Sequence, residues 1–233
     1  MSQNLDVGYV AFQVMKLFIP FLFALCFHEW AHGFVARMRG DRTAELMGRL
    51  TLNPMAHADP IGTFMLPLIV MTMSVMGVPA MMFGWAKPVP VDERNLKNPK
   101  KDMFWIAAAG PLSNLFLALV GAVILGVVLR WSETTEMEPA KLKEIFNAIT
   151  LFILMNVGLA VFNMLPFHPL DGGKVLARFL PDRINYKLEE MQMYFSWGLL
   201  ILFATGAIAI LNWPVRHITD GLLMISNTIG GAL

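Results

Sequence analysis

The chain has 233 residues, of which 56% are hydrophobic and only 15% charged, and its mean hydropathy is +0.57. That balance excludes an ordinary soluble globular protein and is the balance of an integral membrane protein. A formal net charge of +1, with basic residues scattered among loops, offers nothing to nucleic acid, and a single cysteine, Cys26, excludes an intrachain disulfide.

The first apolar stretch, residues 7–27, is long enough to cross a bilayer as a helix. No Lys or Arg precedes it and it runs straight into a motif, so it reads as a retained span rather than a cleavable signal peptide. The motif is His28-Glu29-Trp30-Ala31-His32, an H-E-x-x-H pattern. On a helix, positions i and i+4 share a face, so both imidazoles can bind one Zn²⁺ while Glu29 reaches a water beside it. Two imidazoles and a carboxylate inside an apolar helix are costly, and such residues mark functional sites. Cys26, two residues earlier, is assigned to packing, since thiolates are more typical of structural zinc sites.

Four further apolar stretches follow at 61–83, 104–129, 146–165 and 194–211. Arg37, Arg39, Arg42 and Arg49 follow the first stretch, and Lys87, Arg94, Lys97, Lys100 and Lys101 the second. Glu133, Glu136, Glu138 and Glu144 dominate the link after the third, whereas Lys174, Arg178, Arg183 and Lys187 follow the fourth. The positive-inside rule places the basic links in the cytoplasm and the acidic one outside. Both ends of 61–83 are then cytoplasmic, so this stretch should dip into the membrane and return, with Pro67, Gly77, Pro79 and Gly84 allowing the break. A plain fifth span is the alternative. The expected fold is all-α and polytopic, with about four spanning helices, a re-entrant segment, and short extended membrane-edge pieces within 48–62 and 84–99. It forms one domain over 1–233, with a core at 7–173 and a C-terminal helix and tail at 174–233. Residues 218–233 are too short and glycine-interrupted to count as a span.

Catalytic zinc usually has three protein ligands and one open position, so the histidines require a partner. The fourth stretch ends in Asn163-Met164-Leu165-Pro166-Phe167-His168-Pro169-Leu170-Asp171-Gly172-Gly173, which offers Asp171. In the expected topology the first and fourth spans run in the same direction, bringing His28, His32 and Asp171 to one side. A spanning 61–83 would instead separate the aspartate from the histidines by a bilayer. Asp171 before glycine is also a turn pattern. Asn163 either bonds a neighbouring helix or holds a substrate carbonyl. Asn114 is assigned to packing, with Gly110 letting helices approach; His57 and His168 read as loop or supporting residues, and His217 as remote from the site.

With these motifs the sequence resembles the site-2 protease family of intramembrane zinc metalloproteases. HEWAH matches its H-E-x-x-H motif, NMLPFHPLDGG its N-x-x-P-x-x-x-L-D-G motif, and Ala109-Gly110-Pro111-Leu112-Ser113-Asn114 its G-P-x-x-N element. Residues 84–91, GWAKPVPV, look like a stretch of compact members without a PDZ domain. The resemblance implies one catalytic Zn²⁺ held by His28, His32 and Asp171, Glu29 as acid and base, and Asn163 as a substrate or oxyanion contact. It also implies single-span membrane proteins or signal-peptide remnants as substrates, in a prokaryotic plasma membrane, with the site near the cytoplasmic side. A zinc-containing, non-proteolytic binder or chaperone of membrane helices is the competing class, against which Glu29 weighs, because a structural site needs no such carboxylate. A metal transporter would need polar groups through several spans, and the predicted spans are nearly free of charge in their middles.

Overall fold

The computed structural model describes residues 6–78, 84–135 and 137–231. Three helices are long and apolar enough to cross a membrane: α1, Val7–Met38; a central helix, Pro99–Thr134; and Pro139–Asn163. Between α1 and the central helix lies α2, Leu66–Val75, preceded by a π-helical turn at Pro60–Met65. The central helix is therefore α3 and Pro139–Asn163 is α4. They are followed by α5, Asp171–Ala177; α6, Asp182–Glu190; α7, Gln192–Thr205; and α8, Asn212–Gly230. Among the described residues no strand forms, and 84–92 run as irregular chain.

Each long helix starts where its sequence provides a start. The Asp6 carboxylate caps α1 by accepting from Gly8 N–H, and Asn98 caps α3 by accepting from Lys101 N–H. Proline occupies the first helical position of both α3 and α4, where its missing N–H costs nothing.

α3 is the axis of the fold. On α1, His28 meets Asn114 and His32 meets Ile106, so α1 and α3 are antiparallel. On α4, Asn156 meets Asn114 and Ile153 packs on Gly121, so α4 is also antiparallel to α3 and parallel to α1. Arg39 and Asp102, 3.5 Å apart, join the end of α1 to the beginning of α3. The chain thus leaves α1 and enters α3 at the same end of the bundle, as the loop charges require of a segment that does not cross. Residues Pro60–Val75 form a helix of 16 residues, which spans ~24 Å, less than the ~30 Å of a hydrocarbon core. It packs Phe64 and Met71 against Val14, Phe18 and Phe21 of α1. Residues 79–83, the last of the expected re-entrant stretch and including Pro79, lie outside the described residues, as does Glu136.

The C-terminal region departs from the sequence reading. Instead of a span at 194–211 and a loose tail, α7 stops at Gly206, whose φ of +73° ends the helix, and α8 begins at Asn212. The two helical segments meet at 88° and count as at most one broken span. Val215, Leu222 and Leu223 of α8 pack on Ala118, Ala122 and Leu125 of α3. Ser226 Oγ–H bonds the Ala122 carbonyl, and Ile229 lies over Gly126. The spacing of these contacts is helical, but Arg216, His217, Asp220 and Asn227 keep the mean hydropathy of α8 low and hide it from a search for apolar runs.

Candidate metal centre

One turn separates His28 from His32 on α1, and both face α3. Asp171 reaches them from the first turn of α5, after the short 164–170 link from α4. Close packing imposes the Asp-Gly sequence: a Cβ on Gly172 would collide with the carbonyl oxygen of Leu165. Asp171 Oδ2 is 3.1 Å from His28 Nε2 and 3.3 Å from His32 Nε2, and the two Nε2 atoms are 3.1 Å apart.

The hydrogen bonds behind this triangle determine its chemistry. Asn114 Nδ2 donates to the Ala24 carbonyl and to Asn156 Oδ1, so Asn114 Oδ1 is the acceptor 2.6 Å from His28 Nδ1. His32 Nδ1 donates to the Ile106 carbonyl at 2.6 Å. With each proton on Nδ1, both Nε2 atoms present lone pairs to a buried carboxylate oxygen that itself lacks a hydrogen-bond donor. Three electron-rich atoms this close repel one another unless a cation lies among them. Tetrahedral zinc with ~2.0–2.1 Å bonds places its ligand atoms ~3.3 Å apart, so this donor set fits zinc. Among the described residues, these are the three grouped to hold a metal.

Beside the triangle is a cavity of about 150 Å³ that also exposes Glu29, Asn163, Lys174 and Val89. Glu29 Oε2 accepts the Val89 N–H at 2.9 Å, tying the carboxylate to the irregular 84–92 strap. Arg49, buried, secures that strap by donating Nη2–H to the carbonyls of Lys87 (2.7 Å) and Pro88 (3.3 Å). Farther along, Asp41 accepts from the Asp92 amide and from Asn95 Nδ2. Burial would raise the Asp41 carboxyl, but hydrogen bonds from Thr43, Asn95 and Asp92 outweigh it and hold its pKa below the ordinary value.

The structure brings together His28, His32, Asp171, Glu29 and Asn163. Asn163 lines the cavity, with its Nδ2 donating to the Leu159 carbonyl of its own helix. Cys26 stays apart, its thiol bonding the Leu52 carbonyl. His57 is a buried brace, with Nε2 on the Thr51 carbonyl and its own carbonyl accepting from Lys87. His168 is buried outside the cavity lining. Asn114 does more than pack, since it fixes the ring of His28, 86 residues away in sequence. Arg49 and Lys174 were visible only as loop charge. Arg49→Met should lower cleavage at least tenfold with zinc unchanged and cost ~2 kcal/mol of stability, as two carbonyls lose a charged donor. Arg49→Lys should retain part of both; metal content, rate and thermal melting check this.

Comparison with known proteins identifies the family. The sequence profile of peptidase family M50 matches residues 16–151 and 132–205. A Bacillus subtilis protein named as a zinc metalloprotease, YwhC, is 35% identical over 214 residues, covering 91% of each chain. Two proteins named as zinc metalloprotease Rip2, from Mycolicibacterium smegmatis and Mycobacterium tuberculosis, are 29% and 25% identical. These alignments cover 78% of this chain and 62% and 64% of theirs. No solved structure matches significantly.

Proposed function

Because this chain belongs to peptidase family M50, the site-2 protease family, and is a zinc metalloprotease of the membrane, we propose that it hydrolyses peptide bonds within the spanning segments of other membrane proteins. The observation that carries this reading is the placement of the His28, His32 and Asp171 triangle inside an apolar helix bundle, facing a narrow cavity. A helix is ~10–12 Å across with its side chains, so a cavity of about 150 Å³ accepts about one residue of extended chain at the site and not a helix. The substrate span must unwind before it is cut.

When bound, zinc supplies Lewis acidity that lowers the pKa of water at its open position and polarises a peptide carbonyl. Glu29 takes the proton of the attacking water and delivers it to the leaving amine. His28 and His32, with Nδ1 held by Asn114 and the Ile106 carbonyl, would hold the metal through their Nε2 lone pairs. Asn163 and Lys174, which also line the cavity, hold the substrate carbonyl. Arg37, Arg39, Lys100 and Lys101 gather at the end of the bundle that carries the site, which supports a cytoplasmic-side location in a prokaryotic plasma membrane. In that setting the reaction releases cytosolic fragments or clears signal-peptide remnants.

The test is cleavage of single-span proteins by purified enzyme in bilayers, with the cut mapped by mass spectrometry. Cuts within the span that stop on chelation and resume with zinc are expected. Cuts confined to flanking loops, or stable capture of the span by the zinc-loaded protein without hydrolysis, would reject the reading.

A further inference from the structure

α8 turns one apolar side toward the protein, and its exposed surface is mixed. Outward on α1 and α3 lie Phe12, Ile19, Leu112, Phe116, Val123 and Val127. On α8 the exposed Arg216, Asp220 and Asn227 fall along one line of the helix, beside the exposed Trp213 and Met224. The depth of these residues follows from packing. Ser226 bonds the Ala122 carbonyl and Gly230 lies against Leu129, so α8 runs beside α3 in the same direction. With equal rise per residue, Arg216 and Asp220 lie at about the level of Leu112 and Phe116. That level is midway along the apolar stretch of α3 between Lys101 and Arg130.

Ionisable groups at such a depth do not face lipid. Arg216 could extend toward a headgroup, but the carboxylate of Asp220 is too short to leave the hydrocarbon. They lie one turn apart on the same helix, yet neither has an ion-pair or hydrogen-bond partner among the described residues. His217 only returns a hydrogen bond to the Trp213 carbonyl.

We infer that this face of α8 is the contact between two copies of the chain, which pair as a two-fold dimer in the membrane. Copies in one membrane share an orientation, so the two α8 helices run parallel around an axis normal to the bilayer. In that arrangement Arg216 of each copy meets Asp220 of the other across four residues, ~6 Å of rise, within the reach of an arginine. One cation and one anion on the same face satisfy each other twice and leave no charge over; an unrelated helix would need the same two charges in a matching order. Asn227 continues the line of Arg216 and Asp220 along α8 and is exposed, so it enters the same contact.

The test uses the full chain in native membranes. Asn227→Cys should form a disulfide-linked dimer on mild oxidation; Val127→Cys, facing lipid on α3, should not, and native Cys26 is buried. Arg216→Asp and Asp220→Arg should each weaken dimerisation roughly tenfold or more. The double reversal R216D/D220R should restore it, and the two single variants should pair with each other when co-expressed. Zinc content reports folding in every variant. A monomer with no Asn227→Cys cross-link overturns the inference. So does cross-linking only to a different protein, or labelling of Asn227→Cys by a water-soluble reagent as fast as a loop cysteine, which would make this face the wall of an aqueous cavity.

Discussion

Gly110→Ala is expected to remove the bound metal and all measurable cleavage, although it adds only a methyl group to a helix that alanine favours. A Cβ at this position would lie against His32 Nε2 and 2.6 Å from His28 Nε2, in the space where the two lone pairs converge. The ligands cannot retreat, because Asn114 and the Ile106 carbonyl fix the rings from behind. Zinc sites tolerate ligand displacements of only ~0.2 Å, so affinity should fall by about 100-fold or more. Gly158→Ala on α4 is the control: nothing lies within 4 Å of its Cβ, and zinc and activity should be unchanged. Metal analysis of both purified variants decides the matter; a zinc-replete Gly110→Ala enzyme would mean that the triangle is not the metal site.

Glu29→Gln should produce the opposite combination, with zinc retained at wild-type stoichiometry and cleavage slowed by roughly 10³-fold. Glu29 is no part of the triangle, and a glutamine oxygen can still accept the Val89 N–H, so neither the metal nor the strap should move. What is lost is a group able to take and return a proton. Zinc loss in this variant, or a rate within tenfold of wild type, would exclude Glu29 as the acid and base. The two variants together separate failure to hold the metal from failure to use it.

The two histidines and the glutamate were legible in sequence because helix period alone places them, five residues deciding the geometry. Asp171 needed more: its own pattern is that of a turn, and loop charge had to put it at the same end of the bundle as the histidines. The parallel course of α1 and α4 agrees with that argument. Asn114 was read as packing because no local pattern reveals an 86-residue separation closed by antiparallel helices. Arg49 escaped for the same reason, as its partners are carbonyls of a strap with no side-chain signature. α8 was missed because Arg216, His217, Asp220 and Asn227 interrupt the run of apolar residues by which a membrane helix is read from sequence.

Ile106, Gly110 and Asn114 lie at intervals of four along α3, and they supply a carbonyl, a clearance and an amide to His28 and His32, themselves four apart on α1. The centre therefore works as a vernier, correct only where two scales coincide. Lengthening the loops between the helices leaves both scales intact and is invisible to the metal. One residue inserted between Ile106 and Asn114 slides a scale by ~1.5 Å and turns it by about 100°, and no adjustment elsewhere in the chain can bring the marks back into line.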